Sequence, residues 1–291
     1  VTQDSIDPLD TLDSAGVVER LLDAENSVVP AVRAALPQIA AAADLIARQM
    51  RRGGRIAFVG AGTSGRLALC EAAELPGTFG LDPSTVLIRI AGAGGRAPVG
   101  TDWDEDDVVV ASADFAEMAL RSHDIMVAVA ASGRTPYTLV MARSAAQAGI
   151  ALVAVVNTLD SPLAALATAA IEVPVGPERL QNSTRLTAGT AQKLILNALT
   201  TAAMVALGHV HDDLMIDVVP ANAKLRARVI GIVAEIAEQP VDVARAALER
   251  CDWNARAAVL HLTAGLSPSQ AAAGAARYPT LRAALDEFSP R

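Results

Sequence analysis

Three stretches of this chain of 291 residues place small hydroxyl side chains beside or near glycine, a combination suited to holding an anion. The first is Gly60-Ala61-Gly62-Thr63-Ser64-Gly65-Arg66. Glycine lets a backbone turn tightly and approach a ligand closely. N–H groups at a helix start point outward, and Thr63 and Ser64 add hydroxyl donors, so the turn reads as an anion cradle. It is not a Walker A loop, because no Gly-Lys-Ser/Thr follows, and its third glycine falls at the wrong spacing for a Rossmann fingerprint. The plainer reading is a tight strand-to-helix turn capped by serine.

The second stretch is Ala131-Ser132-Gly133-Arg134-Thr135-Pro136. Two such turns, after successive central strands, point to a phosphorylated small molecule, because open α/β sheets bind ligands at the carboxyl ends of their strands. Pro136 suits a first helical turn, and Ser132 alone could be a helix cap. The third stretch, 178–193, opens a long helix with Ser183 and Thr184 and then adds Gln192 and Lys193. Its polar groups either cap the helix or face a ligand.

These turns need strands before them and helices after them. Short apolar runs of strand length occupy 55–60, 86–91, 124–130, 151–156 and 169–175. Helical periodicity covers roughly 17–32 and 37–50, then 64–75 and 135–148 behind the two turns. An Ala/Leu/Thr-rich pattern over 185–207 predicts a buried helix. Continuous apolar strands alternating with helices predict a three-layer α/β sandwich around a parallel sheet. Beyond Asn222 no strand signal remains, and prolines punctuate short helices. The expected organisation is a ligand-binding domain with N-terminal helices over 1–224 and a small helical domain over 225–291.

Hydrophobic residues make up 52% of the chain and charged residues 19%, which excludes a disordered or collagen-like protein. The formal charge of −8 argues against nucleic acid as a partner, and 3% aromatics offer little for base stacking. A small phosphorylated ligand is compatible with that charge, since a local nest of N–H groups binds phosphate. Cys70 and Cys251 form neither a disulfide framework nor a zinc motif. His209 and His211 make an H-x-H pair that could ligate a metal, but they fall in a connecting segment and are read as structural; His123 and His261 receive no role. No metal is expected. The first residues show no signal-peptide pattern, and no apolar run reaches ~18 residues free of charge or strong polarity. A cytoplasmic protein without a membrane span is the expectation.

With Glu71-Ala72-Ala73-Glu74-Leu75-Pro76-Gly77-Thr78-Phe79-Gly80 behind the first turn, Tyr137 behind the second, and Ser183-Thr184-Arg185 with Ala188-Gly189-Thr190-Ala191-Gln192-Lys193 in the third, the sequence resembles the bacterial N-acetylmuramic acid 6-phosphate etherases. The resemblance runs from about Leu12 to the C-terminal helices. That family belongs with the sugar isomerase (SIS) fold and the glucokinase regulatory proteins. The resemblance implies a SIS-type parallel sheet and a homodimer with its ligand site near the subunit interface. It also implies a lyase that needs no metal or organic cofactor and releases D-lactate and N-acetylglucosamine 6-phosphate. The C2 proton, α to the open-chain aldehyde, is acidic enough for a carboxylate base. Lactate leaves from C3 with help from a general acid, and water adds back at C3. Two carboxyl groups in different protonation states suit that sequence.

On this resemblance the acid falls on Glu74, with Glu71 on nearly the same helix face. A partly buried Glu74 would have the raised pKa that a general acid requires. The base falls on Asp102, where the family has glutamate. Gly62, Thr63, Ser64, Ser132, Arg134, Thr135 and Ser183 fall at the implied sugar-phosphate site, and Lys224 matches a family pattern and is a further ligand-binding candidate. Asn182 stands where the family usually has glycine, and Thr187 where it has lysine. Plainer readings make Glu74 a solvated helix carboxylate and Asp102 part of a solvated acidic loop. Two other functions fit the same motifs: a non-catalytic sugar-phosphate sensor akin to the glucokinase regulators, and an aldose–ketose phosphate isomerase with Glu74 as its base.

Overall fold

Five short strands, built mainly from apolar residues, are β1 (Ile56–Gly60), β2 (Val86–Ile90), β3 (Ile125–Val129), β4 (Ala151–Val156) and β5 (Ala169–Glu172). Both β1 and β3 are buried along their whole length, as strands covered on two faces must be. The computed structural model describes residues 7–93 and 104–288. Its sheet has the order β2-β1-β3-β4-β5. The pairs β1–β3, β3–β4 and β4–β5 are parallel, with Val129 opposite both Gly60 and Val155. From β1 the chain moves outward to β2 and then returns past β1 to β3. The order therefore reverses between β1 and β3, and a crevice opens at the carboxyl ends of strands at such a switch point.

Before the sheet come α1 (Ser14–Glu25), α2 (Val28–Ala34) and α3 (Leu36–Arg51). Between the strands lie α4 (Gly62–Phe79), α5 (Val108–Met118), α6 (Pro136–Gln147) and α7 (Pro162–Leu166). Then follow α8 (Thr187–Leu207), α9 (Ala223–Ile236), α10 (Val241–Arg250), α11 (Ala255–Ala264), α12 (Pro268–Arg277) and α13 (Leu281–Phe288). Strand alternation divides the core. Ala57, Val59, Met126, Ala128, Leu152 and Ala154 pack with Tyr137 and Met141 of α6 and with Ala111 and Met118 of α5. On the other face α3, through buried residues such as Ile39, Ala43 and Ile46, lies against β3 and β5. The α/β sandwich with a central parallel sheet is the fold the sequence implies.

The chain forms two compact units: Val1–Glu71 with Leu87–Leu199, and Ala72–Val86 with Thr200–Arg291. The sheet lies in the first. The second has its own core, in which Ile216, Val229, Val233, Leu248, Val259, Leu260 and Leu281 are buried together.

The observed elements depart from the expected ones in several places. The helix expected over 17–32 is two, Ser14–Glu25 and Val28–Ala34. The helix expected over 64–75 begins at Gly62 and continues to Phe79 through Pro76. Proline disfavours a helix interior, but Leu75 is fully buried and Phe79 nearly so, and that packing outweighs the lost N–H. Strand β5 stops at Glu172, although the Val173 N–H still donates to the Val156 carbonyl at 2.9 Å. Pro174 can donate nothing further. Helices α5 and α7 carry no clear periodic signal. Among the described residues α8 is a helix long and apolar enough to cross a membrane, but Ala188, Ala191, Ile195, Leu196, Leu199, Ala203 and Met204 are buried within the protein, as in a core helix.

Candidate functional site

Both hydroxyl turns open at the carboxyl ends of β1 and β3, the two strands that flank the switch point. Gly62 (φ +51°) starts α4, and Thr63 and Ser64 follow in its first turn. Gly65 faces the edge of the sheet so closely that a Cβ would lie 2.7 Å from Ile90 Cγ2, which presses the helix start onto the strands. Neither Thr63 nor Ser64 makes a side-chain hydrogen bond among the described residues, and both are partly exposed, so Ser64 does not act as a local cap there. With the first N–H groups of α4 they form an open donor cluster.

Ser132 and Arg134 are exposed at the head of the second turn, and Ser132 Oγ accepts from the Arg134 N–H at 3.2 Å. Thr135 is the N-cap residue of α6, yet its side chain makes no capping bond; Pro136 occupies the first turn behind it. The Ser132 loop is anchored from the next strand. The Asn157 N–H donates to the Ala131 carbonyl at 2.9 Å, and Asn157 Nδ2 donates to the Val173 carbonyl at 3.2 Å.

The third stretch joins this neighbourhood through α8. A Cβ on Gly189 would lie 3.7 Å from Thr63 Cγ2 and 3.7 Å from the Thr184 carbonyl oxygen, which places the start of α8 beside the first turn. Gln192, fully buried one turn on, donates from Nε2 to Asn157 Oδ1 at 2.9 Å and so reaches the second. The extreme N-terminus of α8 is already occupied. Glu178 accepts from the Thr187 N–H at 3.1 Å, the Thr187 hydroxyl at 2.8 Å and the Ala188 N–H at 3.0 Å. Capping is therefore the role of those first N–H groups. Ser183 is partly exposed four residues ahead of α8, and its N–H donates to the Leu180 carbonyl at 3.0 Å.

The remaining candidates divide. Glu74 projects from the part of α4 that belongs to the second unit, and it is exposed rather than partly buried as expected. Lys224 is exposed in the first turn of α9, also in the second unit. Asp102 lies outside the described residues. His209 and His211 make separate contacts. His209 Nδ1 lies 2.7 Å from Asp217 Oδ2, the His211 backbone pairs with Leu214, and the described residues hold no group of three potential ligands. Asn157 and Glu178 support the turns and the start of α8, and the sequence motifs gave them no role, because each bonds across a gap that no spacing rule covers.

An open parallel sheet with hydroxyl turns on both sides of its switch point is the architecture of a SIS domain, and residues 23–157 match the SIS domain family. In fold the chain resembles the phosphoheptose isomerase GmhA from Neisseria gonorrhoeae, with a TM-score of 0.51 at 18% identity over 65% of this chain and 97% of that one. It is 42% identical over 281 residues to the N-acetylmuramic acid 6-phosphate etherase 2 of Vibrio cholerae, covering 96% of this chain and 91% of the relative. To the N-acetylmuramic acid 6-phosphate etherase of Edwardsiella ictaluri it is 43% identical over 285 residues, 97% and 94% of the two chains. The chain belongs to the N-acetylmuramic acid 6-phosphate etherase family.

Proposed function

We propose that this protein is a cofactor-independent carbon–oxygen lyase that cleaves the D-lactyl ether of N-acetylmuramic acid 6-phosphate. The observation that carries the reading is 42–43% identity, along nearly the whole chain, to relatives named for that reaction. The open donor cluster at the switch point supports it independently. Thr63, Ser64, Ser132 and the first N–H groups of α4 hold the phosphate, with Arg134, Thr135 and Ser183 at the rim. Asp102 takes the C2 proton of the open-chain aldehyde. Glu74 gives a proton to the ether oxygen as the C3–O bond breaks, leaving D-lactate and an unsaturated aldehyde. Water then adds its oxygen to C3 and a proton returns to C2, which gives N-acetylglucosamine 6-phosphate.

The protein acts as a homodimer in this reading. A Glu74 supplied by a second copy acts on the sugar that this copy holds, and contact with this copy supplies the burial that a general acid needs. The face left for such a partner is apolar: α1 has no buried residue, and its Val18 and Leu22 are 53% and 63% exposed.

Incubation of the purified protein with N-acetylmuramic acid 6-phosphate tests the reading. D-lactate release that is abolished in Glu74→Ala, with N-acetylglucosamine 6-phosphate still bound, is the expected result. Binding of hexose 6-phosphates without lactate release, or formation of a ketose, overturns it.

A further inference from the structure

Glu74 belongs to the segment Ala72–Val86, which forms one compact unit with Thr200–Arg291. Pro76 has no N–H for the carbonyl one turn earlier, that of Ala72, so α4 is loosened at the point where this segment begins. Its far end is held by the connector between α8 and α9. The Val219 N–H donates to the Gly77 carbonyl at 3.0 Å and so satisfies one of the last carbonyls of α4. Gly80 (φ +67°) follows, so close to Asp217 that a Cβ would lie 2.6 Å from the Asp217 carbonyl oxygen.

Asp217 is the fixed point of that connector. Arg256 Nε donates to its Oδ1 at 2.7 Å, and Arg256 Nη2 donates to its Oδ2. His209 Nδ1 lies 2.7 Å from the same Oδ2. Arg256 also donates to the carbonyls of Gly208, at 2.9 Å, and Pro279, at 3.3 Å. Burial by itself would raise the Asp217 pKa, but the hydrogen bonds from His209 and Arg256, with their charges, outweigh it and hold the carboxyl below its ordinary value. A forked guanidinium–carboxylate pair fixes direction as well as distance. The backbone on either side of Asp217 is thus rigid where it meets Gly77 and Gly80.

We propose that Asp217 is a positioning residue for Glu74: clamped by Arg256 and His209, it holds the 217–219 backbone against Gly77 and Gly80 and so sets where the Glu74 carboxyl stands. The inference rests on the reading of Glu74 as the general acid. Because the hydroxyl turns belong to the other unit, loss of the clamp acts on the chemical step and spares phosphate binding.

Two variants test this in the full chain. Asp217→Asn breaks the clamp, while Gly80→Ala disturbs the same contact from the helix side and leaves every charge in place. Hydrogen exchange should quicken in residues 72–80 of both and stay unchanged in 62–71. The kcat for D-lactate release should fall by about a hundredfold, the scale of an ångström misplacement. KM and the Kd of N-acetylglucosamine 6-phosphate should stay near their wild-type values. Asp217→Asn added to Glu74→Gln should cost nothing further, because a positioning residue has no effect once the group it positions is gone. Unchanged exchange in 72–80, or parallel loss of product binding and kcat, overturns the proposal. If the wild-type protein releases no lactate, the functional reading fails, and the exchange data alone decide whether Asp217 holds the Glu74 segment.

Discussion

Gly133 lies against Ser161 so closely that a Cβ on the glycine would stand 2.3 Å from the serine Oγ. Ser161 cannot easily yield, since its hydroxyl accepts from the Ala164 N–H at 3.1 Å and caps α7. The Gly133 carbonyl in turn accepts from the Leu163 N–H at 3.1 Å. The exposed Ser132 is therefore set in place from behind, through the residue that follows it. Gly133→Ala meets a clash and an unfavourable φ of +60° together. The expected cost is about 1–3 kcal/mol of stability, read as a lower Tm. Binding of N-acetylglucosamine 6-phosphate should weaken by about tenfold or more, the loss of one good phosphate contact. A variant with normal affinity would show that the loop geometry does not serve the phosphate.

Asp124 is a buried carboxylate of the sheet unit. It is fully buried and accepts from the Arg55 N–H at 2.7 Å, Arg55 Nε at 3.0 Å, Arg55 Nη2 at 2.6 Å and the Arg121 N–H at 2.8 Å. Burial pushes its pKa up, but the hydrogen bonds from Arg55 and Arg121, with the Arg55 charge, win and hold it below the ordinary 3.8. A carboxyl whose folded pKa is depressed stabilises the protein fully above its unfolded pKa and loses that contribution as pH falls through the folded one. Urea unfolding should therefore show little change from this group between pH 7 and about 5, then a steep loss below about pH 4. Asp124→Asn should remove most of that acid dependence and cost about 3–5 kcal/mol at neutral pH, because it leaves Arg55 without its charge partner.

The two hydroxyl turns were legible because everything that defines them is local: an apolar strand, glycine, small polar residues and a helix. The side chains that hold them were not. Ser161 stands behind Gly133, Asn157 behind Ala131, and Glu178 over the first N–H groups of α8, each across a gap that no periodicity spans. Glu74 drew attention only through family resemblance, for an exposed helix glutamate has no signature of its own. The Arg256–Asp217 clamp joins a residue of α11 to one in the connector between α8 and α9 and leaves no pattern in either. The departures from the family look different once placed. Asn182 sits at φ +63°, a left-handed position that asparagine tolerates almost as readily as glycine. Thr187 is buried with its hydroxyl on Glu178, so it is part of a helix cap rather than a vacant phosphate contact.

That cap yields its own prediction. Glu178 brings a negative charge and two acceptor oxygens to the positive end of a long helix. Glu178→Ala should cost about 1–2 kcal/mol in chemical denaturation, the usual range for a lost N-terminal cap. Thr187→Val, which deletes only the hydroxyl bond, should cost about 1 kcal/mol or less. Equal losses from the two variants would mean that the carboxylate does not hold the backbone of α8.

Gln192 connects α8 to the second turn, and it does so with an unused atom. Its Nε2 bonds Asn157, but its buried Oε1 has no partner among the described residues. Gln192→Leu removes that oxygen at similar volume, which is favourable, and strands Asn157 Oδ1, which is not. The second effect should dominate, because Asn157 also carries the Ala131 and Val173 carbonyls. A net loss of about 1–2 kcal/mol is expected, with weaker product binding than in Thr187→Val at comparable stability. Asn157→Ala should behave alike, and the double variant should lose less than the sum of the two, as residues of one network do. Strict additivity would show that α8 and the Ser132 loop are held independently, and that the link through Gln192 is incidental.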